Sequence, residues 1–102
     1  LLPQAELEQR LAEGERFQIL DVRSKQQYAD EHVEHAINMP LAEIRDRFTE
    51  LDMDIPTVTY CNKGVTANAA QNLLLNLGFK SVYNLSGGFK NYQVVKAYLN
   101  DK

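Results

Sequence analysis

The chain's 102 residues, 44% hydrophobic and 25% charged, suffice for one domain with a buried core and no covalent staples. A net charge of -3 and a pI near 5.3, with 11 Lys and Arg scattered rather than striped, argue against nucleic acid or an anionic membrane as partner. No apolar run reaches membrane-spanning length and no segment reads as a signal peptide. A lone cysteine, Cys61, excludes an internal disulfide and suits a reducing, cytoplasmic setting, while one Cys and two His are too few for a structural zinc site.

From Pro3 to Glu13, Leu7 and Leu11 recur at helical spacing, and Gly14 is placed to terminate that helix. "FQILDV" (17–22) is a short β-type run. Ser24 with Gln27 three residues on forms a capping-box pattern, predicting a short helix through about Asp30. "HAINMP" reads as a brief strand ended by Pro40. "LAEIRDRFTEL" sets Leu41, Ile44, Phe48 and Leu51 on one helical face.

"TVTYC" (57–61) is β-branched and aromatic, hence a strand. Residues 66–77 place Ala70, Leu73, Leu74 and Leu77 along one helix face, and Gly78 follows where a left-handed residue is wanted. "SVYNL" (81–85) reads as the last strand, "SGG" as a tight loop and 89–99 as a closing helix. Strands alternating with helices predict an α/β domain with a mainly parallel sheet. The chain opens "LLPQAELEQRL" without an initiator Met, which is the expectation for a domain excised from a longer chain.

In parallel sheets ligands bind outside the carboxyl ends of the strands. Cys61 stands at such an end, facing the next helix's N-terminus, whose first N–H groups lack intrahelical partners. Gly64 permits a loop that curls its amides around the sulfur, and Lys63 adds positive charge at the rim. These features favour an anionic sulfur and a charged persulfide alike. Spacing alone leaves the matter open, because a lone Cys after a strand is more often a small buried apolar residue.

The loop "CNKGVT" resembles the six-residue Cys-x-x-Gly-x-x active loop of rhodanese-like domains. "ILDVR" (19–23) resembles the family's Asp-Val-Arg strand end, "HVEHAINMP" (32–40) its segment before the second strand, and "LSGGF" (85–89) its Leu-x-Gly-Gly turn. The four motifs stand in family order over nearly the whole chain. The resemblance implies a single three-layer rhodanese-like domain, a mainly parallel sheet flanked by helices, that carries sulfane sulfur as a cysteine persulfide. By position it makes Cys61 the catalytic sulfur carrier and Asn62, Lys63, Gly64, Val65 and Thr66 the amide cradle. It makes Asp21 and Arg23 structural polar residues that tie the strand end to nearby loops.

Three positions depart from the family pattern. Thr66 replaces the Arg with which many thiosulfate-using relatives close the loop, so thiosulfate is expected to be a poor donor. His35 replaces a customary Gly, and Tyr92 a frequent Trp. "CNKGVT" with "ANAAQNLLLNLGF" most resembles the C-terminal rhodanese domain of flavin-dependent pyridine nucleotide–disulfide oxidoreductases of the coenzyme A-disulfide reductase or persulfide reductase type. The partners so implied are a small sulfur donor, a thiol acceptor, coenzyme A persulfide among them, and a fused flavin domain. No cofactor belongs to these residues; FAD and NAD(P)H would lie in the parent portion.

His32 and His35 lack a third ligand nearby and read as structural or solvated residues. A related cysteine phosphatase would need a loop-closing Arg, and no arginine lies between Asn62 and Leu77. The alternative to a turning-over enzyme is a redox-sensing or regulatory binding module built on the same fold.

Overall fold

The computed structural model describes residues 1–62, 64–85, 87–90 and 92. Helix α1 spans Gln4–Ala12, with Glu6 in its first turn and Arg10 in its last, each complementing the helix dipole. Gly14 follows at φ +87, the left-handed conformation that ends the helix without a Cβ penalty. Strand β1 is Gln18–Asp21 and helix α2 is Lys25–Asp30. Both halves of the capping box at Ser24 form: its side chain accepts from the Gln27 N–H, and Gln27 accepts from the Ser24 N–H.

Strand β2 is two residues long, Ile37–Asn38. β3 is Thr57–Tyr60, α4 is Val65–Leu77, and β4 is Val82–Asn84. The four strands lie in the order β2-β1-β3-β4 and every pairing is parallel. β1 and β3 sit at the centre, buried on both faces, and alternate residues feed opposite layers. Leu20, Ile44, Ala70 and Leu74 pack on the α4 face, whereas Leu7, Ile19, Val58 and Tyr60 pack on the α1 face. This is an α/β three-layer arrangement with the carboxyl ends of the central strands at one rim.

The single helix expected over 41–51 is instead broken. Leu41–Glu43 and Phe48–Glu50 are 3₁₀ turns flanking a four-residue helix α3, Ile44–Arg47. Glu43 (ψ -8°) and Arg47 (ψ -2°) interrupt the α-helical torsions. The tightened winding carries Ile44 and Leu51 fully into the core and leaves Leu41 and Phe48 half-buried. Arg47 holds the break, donating to Glu43, Glu50 and the Asn38 carbonyl. The expected closing helix begins as foreseen, with 88–90 and 92 helical; its remainder lies outside the described residues.

One buried tyrosine ties the layers at the strand ends. The Tyr60 hydroxyl donates to Asp21 Oδ2 at 2.6 Å and accepts from the Val33 N–H at 3.1 Å. Burial, and then the hydrogen bond to Asp21, push this phenol well above its ordinary range. The folded state therefore keeps a proton that the unfolded chain releases above about pH 10. Stability is then fully present below that pH and declines as pH rises beyond it. Tyr60→Phe is expected to cost about 1–3 kcal/mol at neutral pH, since Asp21 and Val33 each lose a buried partner. It should also flatten the alkaline decline. Urea midpoints between about pH 7 and pH 11 would check both, and an unchanged midpoint with an unchanged slope would contradict the assignment.

Candidate active site

Cys61 is the first residue after β3, 6% exposed and seated against Ala67 and Ala70 of α4's underside. The chain turns at Gly64, the N-cap of α4, at φ +103 and with no side chain to cap the helix. The cap comes from sulfur instead. Cys61 Sγ accepts the Gly64 N–H at 3.1 Å and the Ala67 N–H at 3.2 Å. Ala67 is the third helical residue, whose N–H a capping side chain ordinarily satisfies. Thus two donors point at one atom, and any negative charge there is hydrogen-bonded before a reactant arrives.

The expected cradle was the loop 62–66. Among the described residues the amides that donate to Sγ are those of Gly64 and Ala67, so the cradle reaches one residue past the loop. Asn62 is half-buried, Val65 and Thr66 are exposed on the first turn of α4, and Lys63 lies outside the described residues. The loop's far side is pinned by Asn84, whose Nδ2 donates to the Gly64 carbonyl at 3.1 Å. Thr59 Oγ1, 3.0 Å from the Ala67 carbonyl, pins α4 to the sheet.

The "LSGGF" turn closes over the same peptide. The Phe89 N–H donates to the Cys61 carbonyl at 2.7 Å, and the Lys90 N–H lies 3.5 Å from the Asn62 carbonyl. Gly88 (φ +66) passes so near that a Cβ there would sit 2.6 Å from both the Cys61 and the Asn62 carbonyl oxygens. Gly88 is therefore a requirement of close backbone approach, and Gly87 before it takes a left-handed φ of +78.

Asp21 and Arg23 form a buried pair at the end of β1. Arg23 Nη2 and Nε donate to Asp21 Oδ2 at 2.7 and 3.1 Å, and Nη2 also reaches the Glu31 carbonyl at 2.6 Å. Burial disfavours the Arg23 charge, but the hydrogen bonds and charge of Asp21 outweigh it and raise the pKa. The guanidinium lies 4.2 Å from the centre of the Phe89 ring, which stacks on Tyr60. The pair thus links β1, the segment after α2 and the turn above Cys61.

The histidines stand apart from this rim. His32 stacks on Tyr28 at 3.8 Å with Nδ1 2.7 Å from the Tyr28 carbonyl oxygen. His35 is exposed beside Glu34 and has φ +67, so the position where relatives carry Gly does demand a left-handed backbone here. Among the described residues no three His, Cys, Asp or Glu side chains gather to hold a metal ion.

An open cleft of about 500 Å³ faces Cys61, lined by Val22, Arg23, Ser24, Gln27, Asn62, Val65, Thr66 and Lys90. Among the described residues no lining side chain is a carboxylate. Lys90 was missed by sequence reasoning; the signal was its place directly after the "LSGGF" turn that returns to the loop.

Gly88→Ala is expected to displace the Cys61–Asn62 peptide. It should cost at least about 1–2 kcal/mol for the left-handed backbone alone, with the clash adding to that. Thermal unfolding and the rate of Cys61 alkylation check it together; unchanged values for both would show that the turn does not hold the loop.

Most of the chain aligns with known proteins. The family model described as "Rhodanese-like domain" matches residues 3–94. Thiosulfate sulfurtransferase GlpE of Coxiella burnetii is 32% identical over 75 residues, covering 74% of this chain and 70% of that protein. Thiosulfate sulfurtransferase PspE of Escherichia coli K12 is 37% identical over 79 residues, 76% of this chain and 75% of that protein. The crystal structure of reduced Bacillus anthracis CoADR-RHD superposes with a TM-score of 0.78 at 30% identity, over 89% of this chain and 16% of that one. The chain belongs to the rhodanese-like domain family.

Proposed function

We propose that this chain is a sulfurtransferase domain in which Cys61 carries sulfane sulfur as a persulfide. One observation carries the reading: Sγ accepts two backbone N–H groups at the mouth of a cleft that no described carboxylate lines. The names of the relatives, which are thiosulfate sulfurtransferases, support it.

In the loading step the Cys61 thiolate attacks the outer sulfur of the donor along the S–S bond. A new S–S bond forms to Cys61, the donor's S–S bond breaks, and its electron pair leaves with sulfite or with a thiolate. In the unloading step an acceptor thiolate attacks the terminal sulfur and Cys61 leaves as thiolate. No net oxidation occurs and charge balances in each step. The terminal sulfur of the persulfide bears the negative charge, so the amides of Gly64 and Ala67 serve both states of the cycle.

For the donor we favour a persulfide borne by a larger body, such as coenzyme A persulfide. Thr66 leaves the cleft mouth without a guanidinium fork for a small dianion, and the open cleft gives room for a bulkier molecule. The superposition on CoADR-RHD supports a place for this domain beside a flavin-dependent disulfide or persulfide reductase. In that setting FAD and NAD(P)H belong to the parent portion, and the residues of this chain hold neither. The domain takes up sulfur from such a donor and hands it on to a thiol.

Cys61→Ser is expected to abolish persulfide formation and transfer to thiols while the thermal midpoint stays near that of the parent chain, because a hydroxyl is a far weaker nucleophile at neutral pH. Retained transfer would sink the assignment. Thr66→Arg should raise kcat/KM for thiosulfate by about tenfold relative to a thiol-borne persulfide, the worth of one charged hydrogen bond at an exposed position. Paired assays with the two donors read this directly, and an unchanged ratio would show that the last loop position does not select the donor.

A further inference from the structure

We infer that Lys90 is the anion-binding residue of the Cys61 cleft, holding the charged end of an anionic sulfur donor beside the reacting sulfur. The inference rests on the sulfurtransferase reading and names the residue that selects for charge within it. Among the described residues two basic side chains line the cleft, Arg23 and Lys90. Arg23 is paired through Nε and Nη2, with Asp21 and the Glu31 carbonyl as acceptors, so its charge is already answered by a buried carboxylate. Lys90 is exposed, and its ammonium meets no carboxylate or hydrogen-bond acceptor among the described residues. This sets it apart from Lys25, Lys80, Arg10 and Arg47, each of which lies beside a carboxylate.

Its backbone is not free to drift. The Phe89 N–H to Cys61 carbonyl bond and the contact of Gly88 with the same peptide fix the root of Lys90 against the loop it would serve. A flexible four-carbon stem then lets the ammonium follow small anions of different size. With no acidic lining residue among the described residues to oppose it, this charge adds to the field of the two amides at Cys61. The chemical class selected is a donor whose negative charge lies on the transferable sulfur or within a bond or two of it, which takes in thiol-borne persulfides and thiosulfate.

The test compares the parent chain with Lys90→Ala, Lys90→Glu and Lys90→Arg. Cys61 alkylation by iodoacetate, an anion, is measured against iodoacetamide, which is neutral and of similar size. Lys90→Ala should lower the iodoacetate to iodoacetamide rate ratio about two- to fivefold, as expected for one exposed charge. Lys90→Glu should lower it further, Lys90→Arg should restore it, and added salt should shrink the differences. In parallel kcat/KM for thiosulfate should fall, chiefly through KM, as for uniform binding. A ratio that stays flat across Ala and Glu, with sulfur uptake intact, overturns the role of Lys90 and leaves the sulfurtransferase reading standing. A ratio that shifts while no variant takes up sulfur upholds the anion site and overturns sulfur transfer.

Discussion

The arrangement depends on one interaction: the sulfur of Cys61 does for helix α4 what a Ser or Asp side chain does at most helix starts. It satisfies the N–H of Gly64 and of Ala67, groups that would otherwise be left bare at a buried helix end. The exchange works in both directions. The helix gains a cap, and the sulfur gains a fixed place with donors aimed at it. A nucleophile held this way spends little on reorganisation when its charge appears, which is where preorganised sites draw their advantage.

The cap would fail if the loop could shift, and two distant parts of the chain prevent it. Asn84 at the end of β4 grips the Gly64 carbonyl from one side. From the other, Gly88 lays its backbone against Cys61 and Asn62 at a distance no side-chain-bearing residue could match. The turn around Gly88 is held by Phe89, which stacks on Tyr60 and packs against the Arg23 guanidinium, which the buried Asp21 in turn fixes. Removing either partner of the Asp21–Arg23 pair would strand a buried charge, so the pair's value lies in position more than in net attraction.

Features encoded by neighbouring residues were legible in the sequence. The Ser24–Gln27 capping box, the left-handed Gly14 and Gly78, and the β-to-α alternation that demands parallel pairing all follow from local patterns. The resemblance to the family located Cys61 and its loop. What escaped notice depends mostly on long-range packing. The Ala67 donor was not foreseen because it lies one residue past the loop, on the first turn of α4, and the return of Lys90 to the cleft depends on where the 87–90 turn lands. The stripe of Leu41, Ile44, Phe48 and Leu51 suggested one helix, yet Arg47 and the 3₁₀ turns broke it to suit the core.

The most direct measurement is the high-resolution mass of the protein after incubation with a sulfur donor, followed by mapping of the modified peptide. The account predicts a gain of one sulfur atom on Cys61 that cyanide or a thiol removes. No gain, or a gain of oxygen alone on Cys61, would contradict it and point to a thiol that senses oxidants instead of carrying sulfur.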